Sequence, residues 1–181
     1  MEEILFKVEL DYWYHLDNKL INPRTSFEQY AEEFLINNNY ENPKDVINKF
    51  NKLKKSLPIV FGIIIFETKI LLVKTTGRNY YEFPGGKANP REDILDAAVR
   101  EINEEVGLVL NKEDAFKIEI DFNIGRELYA FRWIVKEMYD IKIPNKFEIT
   151  DTKWVEIRDL RRYLKNKSYG FLILEKLINH N

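Results

Sequence analysis

The chain has 181 residues, of which 45% are apolar and 14% aromatic, so it is long enough to bury a core. Its 28 basic and 30 acidic residues leave a net charge of −2, which indicates no global attraction to nucleic acid or membranes. The absence of cysteine excludes disulfide frameworks, zinc ribbons and thiol nucleophiles, and two histidines argue against a multi-histidine metal site. The longest apolar run, residues 59–66, is far shorter than a membrane helix, and the first twenty residues do not resemble a signal peptide. We therefore expect a cytoplasmic protein with no membrane contact.

The first part of the chain has the periodicity of helices. Apolar residues recur with helical spacing over about residues 4–17, 26–35 and 43–57, and Pro58 ends the third helix. Ser26 begins a capping-box pattern, which is typical of a helix start. We therefore predict two domains, a helical unit over residues 1–57 and a second domain over residues 58–181.

After the helical unit the periodicity changes to that of strands. Residues 59–66 are apolar on both faces, as in a strand buried within a sheet. Residues 116–122 alternate apolar and charged side chains, which predicts a half-buried strand with its aromatic and aliphatic residues inward. A helix over residues 94–106 is expected between them, with Asp93 as its N-cap and Gly107 as its C-terminal stop. The remaining predicted elements are strands 70–74, 128–135 and 153–157 and helix 169–178. Together these elements predict an α/β sandwich with a mixed sheet.

Three glutamates of the predicted central helix indicate divalent-metal chemistry. Glu101, Glu104 and Glu105 stand at i, i+3 and i+4, so their side chains project from one helical face. Such like charges repel each other unless a counter-charge is present, and oxygen-only ligands suit Mg²⁺ or Mn²⁺. An ion held there can neutralise phosphate charge and activate an attacking water. The alternative is a solvated charged face whose spacing is fortuitous.

The residues around these glutamates form a longer pattern. Residues 86–108 read Gly-x5-Glu-x7-Arg-Glu-aliphatic-x-Glu-Glu-x-Gly-aliphatic, which matches every fixed position of the Nudix box. The chain thus resembles the Nudix hydrolases, and the resemblance implies an α/β/α sandwich, hydrolysis of a diphosphate linked to another group, and metal-ligand roles for the three glutamates. Gly86 is expected at a tight turn with positive φ. The resemblance also implies that four residues hold the loop and the helix together: Gly86, Glu92, Arg100 and Gly107.

The flanking sequence resembles one branch of these hydrolases, the catalytic subunit of the mRNA-decapping enzyme (decapping protein 2 family). Residues 6–17 are similar to a helix of that family, with Trp13 and, four residues later, Asp17 at the matching positions. The resemblance implies that Trp13 stacks on the cationic methylated guanine of the cap and that Asp17 accepts hydrogen bonds from its Watson–Crick edge. A buried core tryptophan and a solvated aspartate are the alternatives.

The same resemblance implies further site residues. Glu148 matches a family glutamate that assists the metal ions or acts as general base, and Lys87 matches a lysine near the phosphates. Residues 158–167 hold five basic residues against one acidic residue, and residues 44–57 have the same balance. Ordinary solubilising charge is the alternative for such patches. The second patch coincides with the family's RNA-binding region, which implies that role for Arg158, Arg161, Arg162, Lys165 and Lys167.

Together these features predict a Mg²⁺- or Mn²⁺-dependent hydrolase that cleaves the 5′ cap of mRNA to 7-methyl-GDP and 5′-monophosphate RNA. The expected partners are capped RNA and a decapping activator protein. The helical unit is shorter than is usual in the family, so we expect it to offer the activator a smaller surface. A hinge at residues 56–59 is expected to close the helical unit over the catalytic face. Two alternatives stay open, a pyrophosphohydrolase of free nucleotides or nucleotide sugars and a cap- or RNA-binding module without catalysis.

Overall fold

The computed structural model describes residues 5, 7–9, 11–12, 15, 19–22, 24–118 and 127–179. The chain divides into two compact units, Met1–Ser56 and Leu57–Asn181. None of the helices in these described ranges combines the length and the apolarity that crossing a membrane requires.

Two complete helices are described in the first unit. Helix α1 (Phe27–Asn37) begins at Ser26, whose hydroxyl accepts a hydrogen bond from the Gln29 amide while the Gln29 side chain accepts one from the Ser26 amide. This reciprocal pair confirms the predicted capping box. Helix α2 (Pro43–Ser56) follows, and the predicted helix over residues 4–17 lies largely outside the described residues. The core of the unit consists of Leu5, Val8, Ala31, Leu35, Val46, Ile47 and Phe50.

Within the described residues, the second unit is built on a six-stranded sheet. The strands are β1 (Ile59–Phe66), β2 (Lys69–Thr75), β3 (Gly85–Lys87), β4 (Phe116–Ile118), β5 (Leu128–Ile134) and β6 (Ile149–Glu156). Their order is β4-β5-β1-β2-β6, and β3 pairs with β1 beside this path. Strands β1 and β5 are parallel, whereas the other pairs are antiparallel, so the predicted mixed sheet is confirmed.

Helices cover both faces of this sheet. Helix α3 (Ile94–Val106) packs on one face, and helix α4 (Tyr169–Asn179) packs on the other with the 3₁₀ segment Ile157–Arg162. Along β1, Val60 and Ile64 join the core under α3, while their neighbours join the core under α4. The strand is therefore apolar throughout because it is buried on both sides, and the α/β/α sandwich is confirmed.

The edges of the sheet differ from prediction. Of the strand predicted over residues 116–122, the structure describes only β4, and the rest of that prediction lies outside the described residues. Phe116 was expected inside but is exposed, because β4 is an edge strand and the ring rests 4.8 Å from the Arg132 guanidinium instead. Strand β6 begins at Ile149, four residues before the predicted start, because its pairing with β2 extends back to Thr75.

Candidate active site

The short strand β3 meets the last turns of α3 at the centre of the site. Its backbone pairs with β1, where Gly85 lies opposite Phe61. The Gly85 amide donates a hydrogen bond of 2.8 Å to the Glu105 carboxylate. Glu105 is only 5% exposed, so this bond orients a carboxylate that is almost entirely withdrawn from water.

Gly86 is required by space. A Cβ built on Gly86 would lie 2.3 Å from a carboxylate oxygen of Glu101, so no larger residue fits without displacing that side chain. The expectation of a positive φ at Gly86 is wrong, because the residue belongs to extended strand β3, where such an angle is not needed. Gly107 does have a positive φ of 71°, and it ends α3 as predicted.

Arg100 connects the loop before α3 to the glutamates on it. Its Nε and Nη2 donate hydrogen bonds of 2.8 and 2.9 Å to the Glu92 carboxylate, and Nη2 also donates to the Lys87 carbonyl at 3.1 Å. Its Nη1 donates to Glu101 at 2.8 Å and to Glu104 at 3.1 Å. One guanidinium thus fixes the loop and two of the predicted metal ligands together.

Burial makes the two inner glutamates reluctant to ionise. The pKa of Glu101 is raised to about 7, first by burial and further by the charges of Glu104 and Glu148, while Arg100 opposes the shift. The pKa of Glu105 is raised well above its usual value by burial, with the Gly85 amide acting in the opposite direction. Two adjacent carboxylates of this kind attract either protons or a metal cation.

The loop before β6 brings a fourth carboxylate to this site. Glu148 contributes to the raised pKa of both Glu101 and Glu105, so its charge lies close to both. The Asn145 side chain accepts a hydrogen bond of 3.2 Å from the Glu148 amide, and the Glu148 carbonyl accepts one of 2.7 Å from the Thr76 amide. The position of Glu148 is therefore determined by contacts on both sides of its loop.

The donor set fits a hard divalent cation by its chemistry. All the donors are carboxylate oxygens, which hard divalent cations prefer. Burial disfavours the ionised form of the most buried two, Glu101 and Glu105, so a cation would stabilise that form. In the described ranges, however, no three Asp, Glu, His or Cys side chains converge closely enough to hold an ion. Glu101 and Glu104 instead both accept hydrogen bonds from Arg100, so an ion would require at least the exposed Glu104 to turn.

A cleft of about 500 Å³ opens beside the two glycines of β3. Of the predicted residues, Lys87, Lys165 and Lys167 line it. Two further lining residues, Arg78 and Tyr80, lie on the loop between β2 and β3 and were not predicted from the sequence. Their position in the sequence, shortly before Gly85 and Gly86, could have indicated that they lie near the site.

The other predicted basic residues lie outside this cleft. Arg161 forms an ion pair with Glu175 at 2.8 Å, and Arg162 forms one with Asp159 at 3.0 Å. Arg158 lies 4.0 Å from the same aspartate. The structure therefore divides the predicted RNA-binding set into two lysines at the cleft and three arginines on the 3₁₀ segment.

The remaining predicted site residues belong to the first unit. In the basic patch over residues 44–57, Lys49 pairs with Asp45 at 2.9 Å and Lys54 pairs with Glu9. This pairing within the unit favours the interpretation of that patch as ordinary surface charge. Trp13 and Asp17 lie outside the described residues.

The sandwich and the carboxylate-lined site are those of a NUDIX domain. The family model of the NUDIX domain matches residues 56–174, which is more than half of the chain, and the chain therefore belongs to this family. Hydrolases of this family generally use divalent metal ions.

Two curated relatives differ in how much of the chain they match. The m7GpppN-mRNA hydrolase of Saccharomyces cerevisiae is 27% identical over 191 residues, which cover 98% of this chain and 20% of that enzyme. The chain thus spans about a fifth of the length of this relative. The 8-oxo-dGTP diphosphatase of Buchnera aphidicola is 38% identical over 117 residues, which cover 51% of this chain and 90% of that enzyme.

A solved structure has the same fold. The MutT NUDIX hydrolase from Burkholderia pseudomallei aligns with a TM-score of 0.52 and 22% identity. The alignment covers 67% of this chain and 98% of that structure, which shows the shared architecture of the Nudix domain.

Proposed function

We propose that this Nudix hydrolase cleaves the 5′ cap of mRNA and releases 7-methyl-GDP and RNA with a 5′-monophosphate. The observation that carries the proposal is the extent of the likeness to the yeast m7GpppN-mRNA hydrolase, which covers 98% of the chain. That likeness includes the helical residues before the Nudix domain, whereas the match to the bacterial diphosphatase covers only 51% of the chain.

The proposed chemistry is attack of water on a phosphorus atom of the triphosphate bridge, which breaks the P–O bond between the two phosphates that leave with the methylated guanosine and the phosphate that stays on the RNA. Glu101, Glu104 and Glu105 would hold Mg²⁺ or Mn²⁺, which when bound offsets phosphate charge and acidifies water. In this proposal a carboxylate oxygen of Glu148 accepts the proton of the attacking water. The Lys87 ammonium offsets the charge that develops on the phosphate oxygens.

Recognition of the cap and of the RNA completes the proposal. Trp13 and Asp17 are proposed to bind the methylated guanine, and this assignment rests on the sequence resemblance alone. Lys165 and Lys167, which line the cleft, are proposed to contact RNA phosphates, with Arg158, Arg161 and Arg162 extending the track. The activator protein, the hinge at residues 56–59 and the cytoplasmic location stay predictions.

Release of the labelled cap tests this function directly. RNA carrying a radiolabelled cap phosphate is incubated with the pure protein and Mg²⁺ or Mn²⁺, and the products are separated by thin-layer chromatography. We expect labelled 7-methyl-GDP from the wild-type protein and none from Glu105→Gln. Absence of cap release by the wild-type protein at every metal concentration would contradict the proposal.

Hydrolysis of free nucleotides is a second candidate, because the bacterial 8-oxo-dGTP diphosphatase is 38% identical and 90% of its length is matched. Trp13→Ala distinguishes the two functions. If the tryptophan holds the cap base, this variant loses cap hydrolysis steeply and keeps turnover of free nucleotides. Equal effects on both reactions, or efficient competition by free nucleoside triphosphates in the cap assay, would favour the second candidate.

A further inference from the structure

Two cations from distant parts of the chain lie against one aromatic ring in the cleft. The Arg78 guanidinium is 5.7 Å from the centre of the Tyr80 ring, and the Lys165 ammonium is 5.1 Å from the same centre. Both distances are within the range in which an aromatic ring attracts a cation. The Tyr80 ring is therefore a shared partner for both cations, and the Glu82 carboxylate pairs with Arg78 as well.

Backbone hydrogen bonds fix the two segments that carry these cations. The Tyr81 amide donates to the Tyr163 carbonyl at 3.0 Å, and Tyr81 also forms a parallel bridge with Leu164. Arg78 is positioned by its own amide, which donates to the Thr75 carbonyl at 3.1 Å, and by an ion pair with Glu82. The arrangement is thus set before any ligand arrives.

The charge of the cleft is strongly positive. Four cationic side chains and one carboxylate line it: Arg78, Lys87, Lys165, Lys167 and Glu82. In the part of the chain that the structure describes, neither Lys165 nor Lys167 has a carboxylate within ion-pair distance. Lys167 also has a positive φ of 63°, a conformation that costs energy for a residue with a side chain. This backbone strain, together with the uncompensated charge, indicates a binding surface.

The cleft adjoins the carboxylates of α3. Gly85 and Gly86 belong to its lining, and they also contact Glu105 and Glu101, respectively. Arg78 is close enough for its charge to act on Glu105. The cations that line the cleft and the carboxylates of α3 therefore adjoin the same two glycines.

We propose that Arg78 and Lys165, positioned by the Tyr80 ring, form a clamp that selects substrates with three or more consecutive phosphates over diphosphates. The inference rests on the proposed function, because it concerns the phosphate chain hydrolysed at the same site. A guanidinium offers paired donors to phosphate oxygens and an ammonium offers a point charge, so the two suit neighbouring phosphate groups. A diphosphate held at the carboxylate site has fewer phosphate groups left for these two cations than a triphosphate has.

Binding of inorganic tripolyphosphate tests the clamp without turnover. Titration calorimetry with chelator present compares the wild-type protein with Arg78→Gln and Lys165→Ala. Each variant should weaken tripolyphosphate binding about 10-fold or more, the size expected for a lost charged hydrogen bond, and pyrophosphate binding should change less. Equal losses for the two ligands would overturn the selectivity, and unchanged tripolyphosphate binding would overturn the clamp.

Matched controls exist on the opposite part of the sheet. Arg132 lies 4.8 Å from the Phe116 ring and Lys117 lies 5.4 Å from the Tyr129 ring, and neither cation lines the cleft. Arg132→Gln and Lys117→Ala should leave tripolyphosphate binding unchanged. The role of the ring is tested by Tyr80→Phe, which keeps the aromatic face and should bind normally, and by Tyr80→Ala, which should not. Equal binding by both Tyr80 variants would remove the ring from the clamp.

Steady-state kinetics separate the clamp from the proposed function. For a cap dinucleotide with a triphosphate bridge, Arg78→Gln and Lys165→Ala should raise KM about 10-fold with little change in kcat, and for a nucleoside diphosphate sugar they should raise KM less. If the wild-type protein hydrolyses no capped substrate but binds tripolyphosphate through these cations, decapping fails and the clamp stands. If it releases 7-methyl-GDP and the variants bind tripolyphosphate normally, the clamp fails and decapping stands.

Discussion

The Glu105 carboxylate accepts a 2.8 Å hydrogen bond from the backbone amide of Gly85, a residue on a different element of the fold. This bond makes the position of a nearly buried carboxylate depend on strand β3 as well as on its own helix. Helix α3 and strand β3 therefore act as one positioning unit.

Glu105→Gln should remove activity and keep the fold. The amide oxygen of glutamine can still accept the Gly85 hydrogen bond, and the substitution removes a charge that burial disfavours. We expect phosphoanhydride hydrolysis to fall at least ~100-fold, as for loss of an essential charged group. Thermal unfolding should show a Tm equal to that of the wild-type protein or higher. Unchanged turnover would contradict a metal-holding role for this residue.

Gly86→Ala should destabilise the protein and impair catalysis together. The added Cβ would meet a Glu101 carboxylate oxygen at 2.3 Å, so the Glu101 side chain must shift and its hydrogen bond from Arg100 is strained, at a cost of about 1 kcal/mol. Urea unfolding measures the loss. Gly170→Ala is the control, because a Cβ at Gly170 meets its nearest neighbour at 3.4 Å and a helical alanine is favourable. Equal stability of the two variants would contradict the assigned packing.

The metal-free protein should become more stable as the pH falls from about 7 toward 4.5. The pKa of the Glu101 carboxyl is about 7 in the folded protein and 4.5 in the unfolded chain. The folded state therefore binds the proton more tightly than the unfolded state does. The resulting stabilisation is complete below pH 4.5 and is lost as the pH rises through 7. Between these values the free energy of unfolding falls by at most about 1.4 kcal/mol per pH unit. Urea unfolding with chelator at pH 7.5 and 5.5 measures it. Glu101→Gln should show a flatter dependence, and an identical pH profile in both proteins would refute the shift.

Asn145→Ala should slow catalysis through Glu148. The Asn145 side chain accepts hydrogen bonds from the amides of Phe147 and Glu148, so its removal loosens the loop that positions this carboxylate. We expect kcat to fall about 10-fold with KM nearly unchanged, the pattern of a weakened transition-state interaction. In a Glu148→Gln background the same substitution should have little further effect. Additive losses in the double variant would show that Asn145 acts independently of Glu148.

Elements whose signals are local were predicted accurately. The bounds of α3 match the predicted helix over residues 94–106, because the Asp93 side chain caps its first turn and Gly107 ends it with a left-handed backbone. The predicted buried strand over residues 59–66 is likewise strand β1. In each case the information lies within the segment itself, as a cap residue or as a run of apolar side chains.

Features that depend on pairing between segments far apart in the sequence were not predicted. Strand β3 has only three residues, Gly-Gly-Lys, and it exists because β1 offers it a partner. Arg78 and Tyr80 reach the cleft because Tyr81 pairs with the segment that carries Lys165. No periodicity within either segment predicts that contact. The Nudix box indicated the helix carboxylates, whereas the opposite wall of the cleft required the tertiary structure.

The parallel pairing of β1 with β5 has a consequence for how the protein is made. The central strand β1 is apolar on both faces, yet its partner β5 emerges from the ribosome only dozens of residues later. Until then β1 presents an unsatisfied, aggregation-prone edge, and closure of so long a loop is slow. The sheet therefore cannot be completed before β5 has left the ribosome, and the apolar edge of β1 stays unpaired during that interval.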